Sequence, residues 1–308
     1  MRNHVITLLL ILFFANTGFA QQTIVSREKP LNFSRKDCIN LSIYDWPRTL
    51  LSYPVYFPEG IQSESELNLS DNKQNCSVPF QLSNKVIENG KLKSAVINFF
   101  AELPSGGEFN YTLYLRKNNA SRQSSPVTLQ KQASTWLISD GNFGVEIPAG
   151  GINPGHTIPA PIISILNDHQ KIGNNKLHTG QRTVKEIKTS VLESGDLFIE
   201  CGIHYILDNQ ASYYAKVKVI QGYPFVILDE QMENISNQDE VFIDMEWDNF
   251  HPTRRYGNWD RQKEVSVDGG LPIDQPIYTN WSQEEPHWTG MGWIEEPAKQ
   301  MLYRLLPF

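Results

Sequence analysis

The residues best suited to chemistry crowd into one stretch, residues 244–293. It reads DMEWDNFHPTRRYGNWD, passes a glycine turn, and ends YTNWSQEEPHWTGMGW. Five of the seven tryptophans are here: Trp247, Trp259, Trp281, Trp288 and Trp293. Asp248, His251, Arg254, Arg255, Asp260, Glu284, Glu285 and His287 stand between them. Flat rings beside carboxylates and guanidinium groups suit a sugar, which offers an apolar ring face and an edge of hydroxyls. Trp247, Trp259, Trp281 and Trp288 are therefore the candidate substrate-binding residues. The competing reading is that these rings pack against a neighbouring domain.

Two chemistries fit the titratable groups. A polysaccharide lyase must neutralise a uronate carboxylate, remove the C5 proton and protonate the leaving oxygen. Arg254 and Arg255 could grip the carboxylate, since a guanidinium binds it in bidentate fashion. His251, Tyr256 or His287 could serve as base or acid. A glycoside hydrolase instead needs two carboxylates flanking the scissile bond. Asp248, Asp260, Glu284 and Glu285 are available, but adjacent residues of an extended chain face opposite ways. One of Glu284 and Glu285 would have to pair with Asp248 or Asp260. Against both stands the plainer reading of ordinary ion pairs and exposed loop acids. His156, His169, His178 and His204 are scattered and receive no role. There is no Gly-rich phosphate loop, HExxH or GxSxG. No cofactor is indicated, although loop carboxylates leave an irregular Ca2+ site open.

The elements that must position these residues read as strands. Residues 24–118 form a first unit of short β-branched and aromatic runs separated by turn signals. Asn89-Gly90 between two apolar runs predicts a tight hairpin, because both positions tolerate positive φ. In Tyr111-Thr112-Leu113-Tyr114-Leu115 the apolar residues alternate, as in a half-buried strand. A small β-barrel or sandwich is expected here. The polar residues 117–134, with Pro126, mark a domain boundary. Residues 135–245 then read as a large antiparallel β-sandwich, with residues 168–180 as a polar loop. No helix is expected before residue 294. Residues 246–308 form an irregular aromatic-rich segment. Pro297 preceded by acids and followed by basic residues predicts one short helix in the tail. The whole is an all-β chain: a small N-terminal barrel followed by the sandwich.

Composition narrows the partners. The chain of 308 residues is 40% hydrophobic and 20% charged, with a net charge of −7. That balance suits a folded core and disfavours a nucleic-acid or anionic-membrane partner. Residues 1–20 carry a positive start at Arg2, an apolar run at 5–14 and small residues before Ala20, the pattern of a cleaved signal peptide. A secreted or periplasmic protein with no membrane span is expected. Of Cys38, Cys76 and Cys201, the first two fall in one unit and could pair. Three buried thiols would serve equally well.

The order of segments resembles a known family. Tyr53-Pro54-Val55-Tyr56-Phe57, Val78-Pro79-Phe80-Gln81, Asn89-Gly90, Ala101-Glu102-Leu103-Pro104, Gly107 and Tyr111-Thr112-Leu113 resemble the N-terminal barrel of the exo-rhamnogalacturonan lyase and YetA-like group of carbohydrate-active proteins. The run SDGNFGVEIP and the later ESGDLFIECGIHYI and YYAKVKVIQGYPFVIL resemble that group's sandwich domain. The resemblance spans residues 40–245. It implies a pectin-type, uronic-acid-containing polysaccharide as substrate. It also implies a large helical domain after the β domains. This sequence stops at Phe308, so a missing helical domain is the expectation, with residues 246–308 leading to it. The functional expectation is the N-terminal β portion of a secreted polysaccharide-degrading enzyme, pectin-type lyase or glycoside hydrolase, incomplete alone. The alternative is a non-catalytic carbohydrate-binding or surface adhesion module.

Overall fold

A computed structural model of the protein describes residues 30–34, 46–103, 110–115, 126–152, 155, 157–168, 170–236, 239–244, 254–256, 265–266, 292–296 and 301–305. The protein is all-β, with a 3-10 turn at Glu64–Glu66. No described helix is long and apolar enough to cross a membrane. The strands fall into two compact units. The larger holds every strand up to Asp244, the last residue of one short strand excepted, and the smaller holds the strands after it.

The N-terminal part of the larger unit contains β1 (Leu31–Ser34), β2 (Trp46–Ile61), β3 (Leu67–Asp71), β4 (Cys76–Ser77), β5 (Phe80–Glu88), β6 (Lys91–Leu103) and β7 (Asn110–Leu115). They pair as two sheets, β1-β7-β3-β4 and β2-β6-β5, and no described pairing joins the two. Period-2 alternation explains the core. Leu92, Ala95, Ile97, Phe99 and Ala101 of β6 all point into one cluster with Phe33, Val55, Phe57, Leu69, Leu82 and Leu113. Phe99 there lies 5.4 Å from Phe33 and 5.0 Å from Tyr111, ring centre to ring centre. Glu88 pairs with Lys91 across Asn89-Gly90, whose φ values of 51° and 75° are those of the expected hairpin turn.

The rest of the larger unit is a sandwich. Its strands are β8 (Thr128–Lys131), β9 (Thr135–Ser139), β10 (Phe143–Pro148), β11 (Thr157–Pro159), β12 (Ser164–Asn167), β13 (Gln170–Ile172), β14 (Lys176–Thr179), β15 (Val184–Ser194), β16 (Phe198–Leu207), β17 (Ser212–Ile220), β18 (Val226–Glu233) and β19 (Val241–Asp244). The sheets are β13-β12-β10-β9-β8, β11-β14-β19 and β15-β16-β17-β18. Between them lies a second core that includes Ile138, Val145, Ile147, Leu177, Ile203, Tyr205, Tyr213 and Val217. The polar loop expected at 168–180 is in fact two strands, β13 and β14. Its buried side chains among the described residues are Asn175, Leu177 and Thr179, so the inward row alternates with only one apolar residue in it and had no apolar pattern to announce it.

Sheet β2-β6-β5 is fastened to one end of the β15–β18 sheet. The Ser52 hydroxyl donates to Asn98 Oδ1 at 2.8 Å, and Asn98 Nδ2 donates to Gln81 O and Ser83 Oγ. Gln81 crosses the joint. Its Nε2 donates to Phe198 O at 3.1 Å, and its Oε1 accepts from the Leu197 and Phe198 amides at 3.0 Å each. Arg48 donates to Gln221 O and Oε1 while its guanidinium lies 3.4 Å above the Phe100 ring. Leu50, Phe100, Tyr223 and Ile227 close over Leu197, Phe198 and Ile220.

The smaller unit carries β20 (Arg254–Tyr256), β21 (Val265–Ser266), β22 (Gly292–Glu296) and β23 (Met301–Leu305), hydrogen-bonded in the order β21-β20-β22-β23. This corrects two expectations. The aromatic-rich segment is not wholly irregular, and the tail forms an antiparallel pair, Glu296 opposite Met301, instead of a helix. Proline fixes φ near −65°, which serves a helix start and a turn equally well. A helix of two turns has little stability of its own in water, so strand pairing wins.

Candidate functional site

Of the residues singled out by type, Trp247, Asp248, His251, Trp259, Asp260, Trp281, Glu284, Glu285, His287 and Trp288 lie outside the described residues. Arg254, Arg255 and Tyr256 form β20, where Arg254 stands opposite Glu295, Arg255 opposite Ile294 and Tyr256 opposite Trp293. Cys38 is also outside the described residues. Cys76 is exposed, and Cys201 is buried in the sandwich core, its thiol pushed up to about 12 by that burial. Among the described residues no group of three or more His, Cys, Asp or Glu could hold a metal ion.

The chemistry that the structure does bring together is on the outer face of β15-β16-β17-β18. Odd-numbered residues of β16 and β17, Ile199 to Leu207 and Tyr213 to Val219, fill the sandwich core. The even-numbered residues must therefore face the other way. Register then sets three rows. His204 of β16 stands between Lys188 and Tyr214, and Tyr214 is followed by Gln231. Gly202 stands between Ser190 and Lys216, and Lys216 is followed by Asp229. Glu200 stands between Glu193 and Lys218, and Lys218 is followed by Ile227. Below these rows, Phe198 and Ile220 disappear under the N-terminal sheet.

Tyr214 and His204 meet edge to face with centroids 5.9 Å apart. Both are partly exposed. Among the described residues the Tyr214 hydroxyl and the His204 ring nitrogens take no hydrogen bond. Lys216 is held by Asp229 at 3.2 Å. Lys218 lies 3.8 Å over the Phe198 ring, and burial lowers its pKa against the opposing pull of Glu200 and Glu193. Glu193 in turn accepts from the Asn84 amide at 2.7 Å, at the seam with the N-terminal sheets. Across the face, Lys188, Lys216 and Lys218 are outnumbered by Glu186, Glu193, Glu200, Asp229 and Glu233. The surface is thus a polar, slightly acidic sheet face with the Tyr214–His204 pair at the end away from the N-terminal sheet.

Residue-type reasoning missed this set because His204 looked isolated. The signal was the pair of runs CGIHYI and YYAKVKVI joined by Asp208-Asn209-Gln210. Folding them as a hairpin aligns His204 with Tyr214 and puts Gly202, Lys216 and Lys218 on the same side. Compared with known proteins, the chain matches no protein-family model and no curated protein.

Proposed function

We propose that this chain is the β-rich part of a secreted polysaccharide-degrading protein of lyase or glycoside hydrolase type, and that the outer face of β15–β18 holds the glycan. The observation that carries this reading is the Tyr214–His204 pair, ring beside imidazole, whose polar atoms take no hydrogen bond among the described residues on a partly exposed sheet face. A sugar's apolar face stacks on an aromatic ring while its hydroxyls take the adjacent donors and acceptors. The signal-peptide pattern of residues 1–20 supports export. The resemblance to the exo-rhamnogalacturonan lyase group supports a pectic glycan.

Charge decides which part of such a glycan this face would take. With carboxylates in the majority, it suits neutral sugar units better than a run of uronates. Recognition of a uronate carboxylate would rest on Arg254 and Arg255. The alternative is a non-catalytic binding module. Incubation with polygalacturonate, rhamnogalacturonan and galactan tests both readings. Retention on any of them supports the binding face. Unsaturated-uronate absorbance marks a lyase, and new reducing ends without it mark a hydrolase. Binding with neither signal leaves the module, and no binding to any of the three overturns the proposal.

A further inference from the structure

Gly202 lies in the middle of β16, where a glycine weakens a strand and often marks a close approach. Its backbone does not need glycine: it is absent from the residues with positive φ, so an L side chain would fit its conformation. What occupies the space is Tyr214. A Cβ on Gly202 would meet the Tyr214 hydroxyl oxygen, with Cζ at 3.1 Å and Cε2 at 3.2 Å. Tyr214 stands opposite His204, one row along from Gly202, so its ring leans diagonally and rests its hydroxyl end over the glycine.

We infer that Gly202 is a positioning residue: its missing side chain is the notch that seats Tyr214 across β16, beside His204, in the orientation that meets a sugar. The inference rests on the glycan-binding reading of this face. It explains why the least strand-like residue of β16 sits among partners that would otherwise favour a β-branched one. The neighbouring Lys216, directly opposite Gly202, is drawn away to Asp229 and leaves the notch to the tyrosine. The atom that an added methyl would strike is the far end of a rotatable side chain, so Gly202→Ala is expected to fold and to displace the ring.

The test is retention on galactan and rhamnogalacturonan affinity gels of the mature chain and of Tyr214→Ala, Gly202→Ala and the double variant, with melting temperatures. Tyr214→Ala is expected to weaken retention by about three- to tenfold, the range of one lost aromatic contact. Gly202→Ala is expected to weaken it with an unchanged or higher melting temperature, and to add nothing in the Tyr214→Ala background. That non-additivity is a result that a purely structural role for Gly202 would not give. Wild-type-like retention in Gly202→Ala, with loss in Tyr214→Ala, overturns the inference and leaves the face intact. Full retention in Tyr214→Ala, or none in the wild type, overturns both.

Discussion

Gln81 is a buried amide that spends its hydrogen bonds on a different sheet. It satisfies the amides of Leu197 and Phe198 and the carbonyl of Phe198, and a Cβ on Gly195 would come within 2.8 Å of its Cγ. Gln81→Leu keeps the volume but strands those backbone groups. Leaving buried donors unpaired costs about 1–3 kcal/mol each, so a loss of about 2–4 kcal/mol in urea denaturation is expected. A loss below about 0.5 kcal/mol would show that the joint does not depend on this residue. Asp239 gives a second residue-level expectation. The hydrogen bond from Arg182, at 2.8 Å, and those from the Ser236 amide and hydroxyl hold its pKa down to about 2. A depressed carboxylate contributes stability that is present above its unfolded pKa and is lost as pH falls through the folded value. Between about pH 4 and pH 2, wild-type melting temperature should therefore fall more steeply than that of Asp239→Asn. Parallel slopes for the two proteins would contradict the pairing.

The edge strand β18 carries a group whose charge works against the fold. Glu230 faces the core side, accepts a hydrogen bond from the Tyr213 hydroxyl, and has its pKa raised first by burial and then by Asp229. A raised carboxyl favours the fold when protonated, and that contribution is lost as pH rises through its folded pKa. Glu230→Gln should be the more stable protein at neutral pH. Its margin over the wild type should shrink on acidification, as read by melting temperature at pH 7 and below the ordinary carboxylate range. Equal stability at both would contradict it. Elements differed in how openly the sequence declared them. The hairpin at Asn89-Gly90 and the strands β16 and β17 follow from turn chemistry and strict alternation. β13 and β14 did not, because pairing with β12 makes the one a strand, and pairing with β11 and β19 over the buried Thr179 the other, where side-chain type says loop. The tail misled for the opposite reason, since Pro297 and flanking charges serve a helix or a turn alike.

At the scale of the molecule, the larger unit is two β parts locked at one end. The polar row Ser52–Asn98–Gln81 and the stacked Arg48 fix the N-terminal sheets over Phe198 and Ile220. The row of His204 and Tyr214 lies beyond that joint and is partly exposed. The site was only half legible. The tryptophans, arginines and acids of residues 244–293 stood out by type, whereas the Tyr214–His204 pair exists only once two strands are set in register. A composition scan ranks residues by chemistry and cannot see a row formed across a hairpin. If the face binds glycan by stacking and hydrogen bonds, its affinity should change less than about threefold between low and high salt, since screening acts on exposed charge pairs. A steep salt dependence would move recognition to the lysines.

The most direct test of the central claim is calorimetric titration of galactan and rhamnogalacturonan oligosaccharides into the mature protein and into Tyr214→Ala. Measurable binding by the wild type is expected, with an affinity lower by about three- to tenfold in the variant at an unchanged melting temperature. Equal affinities in the two proteins would contradict it.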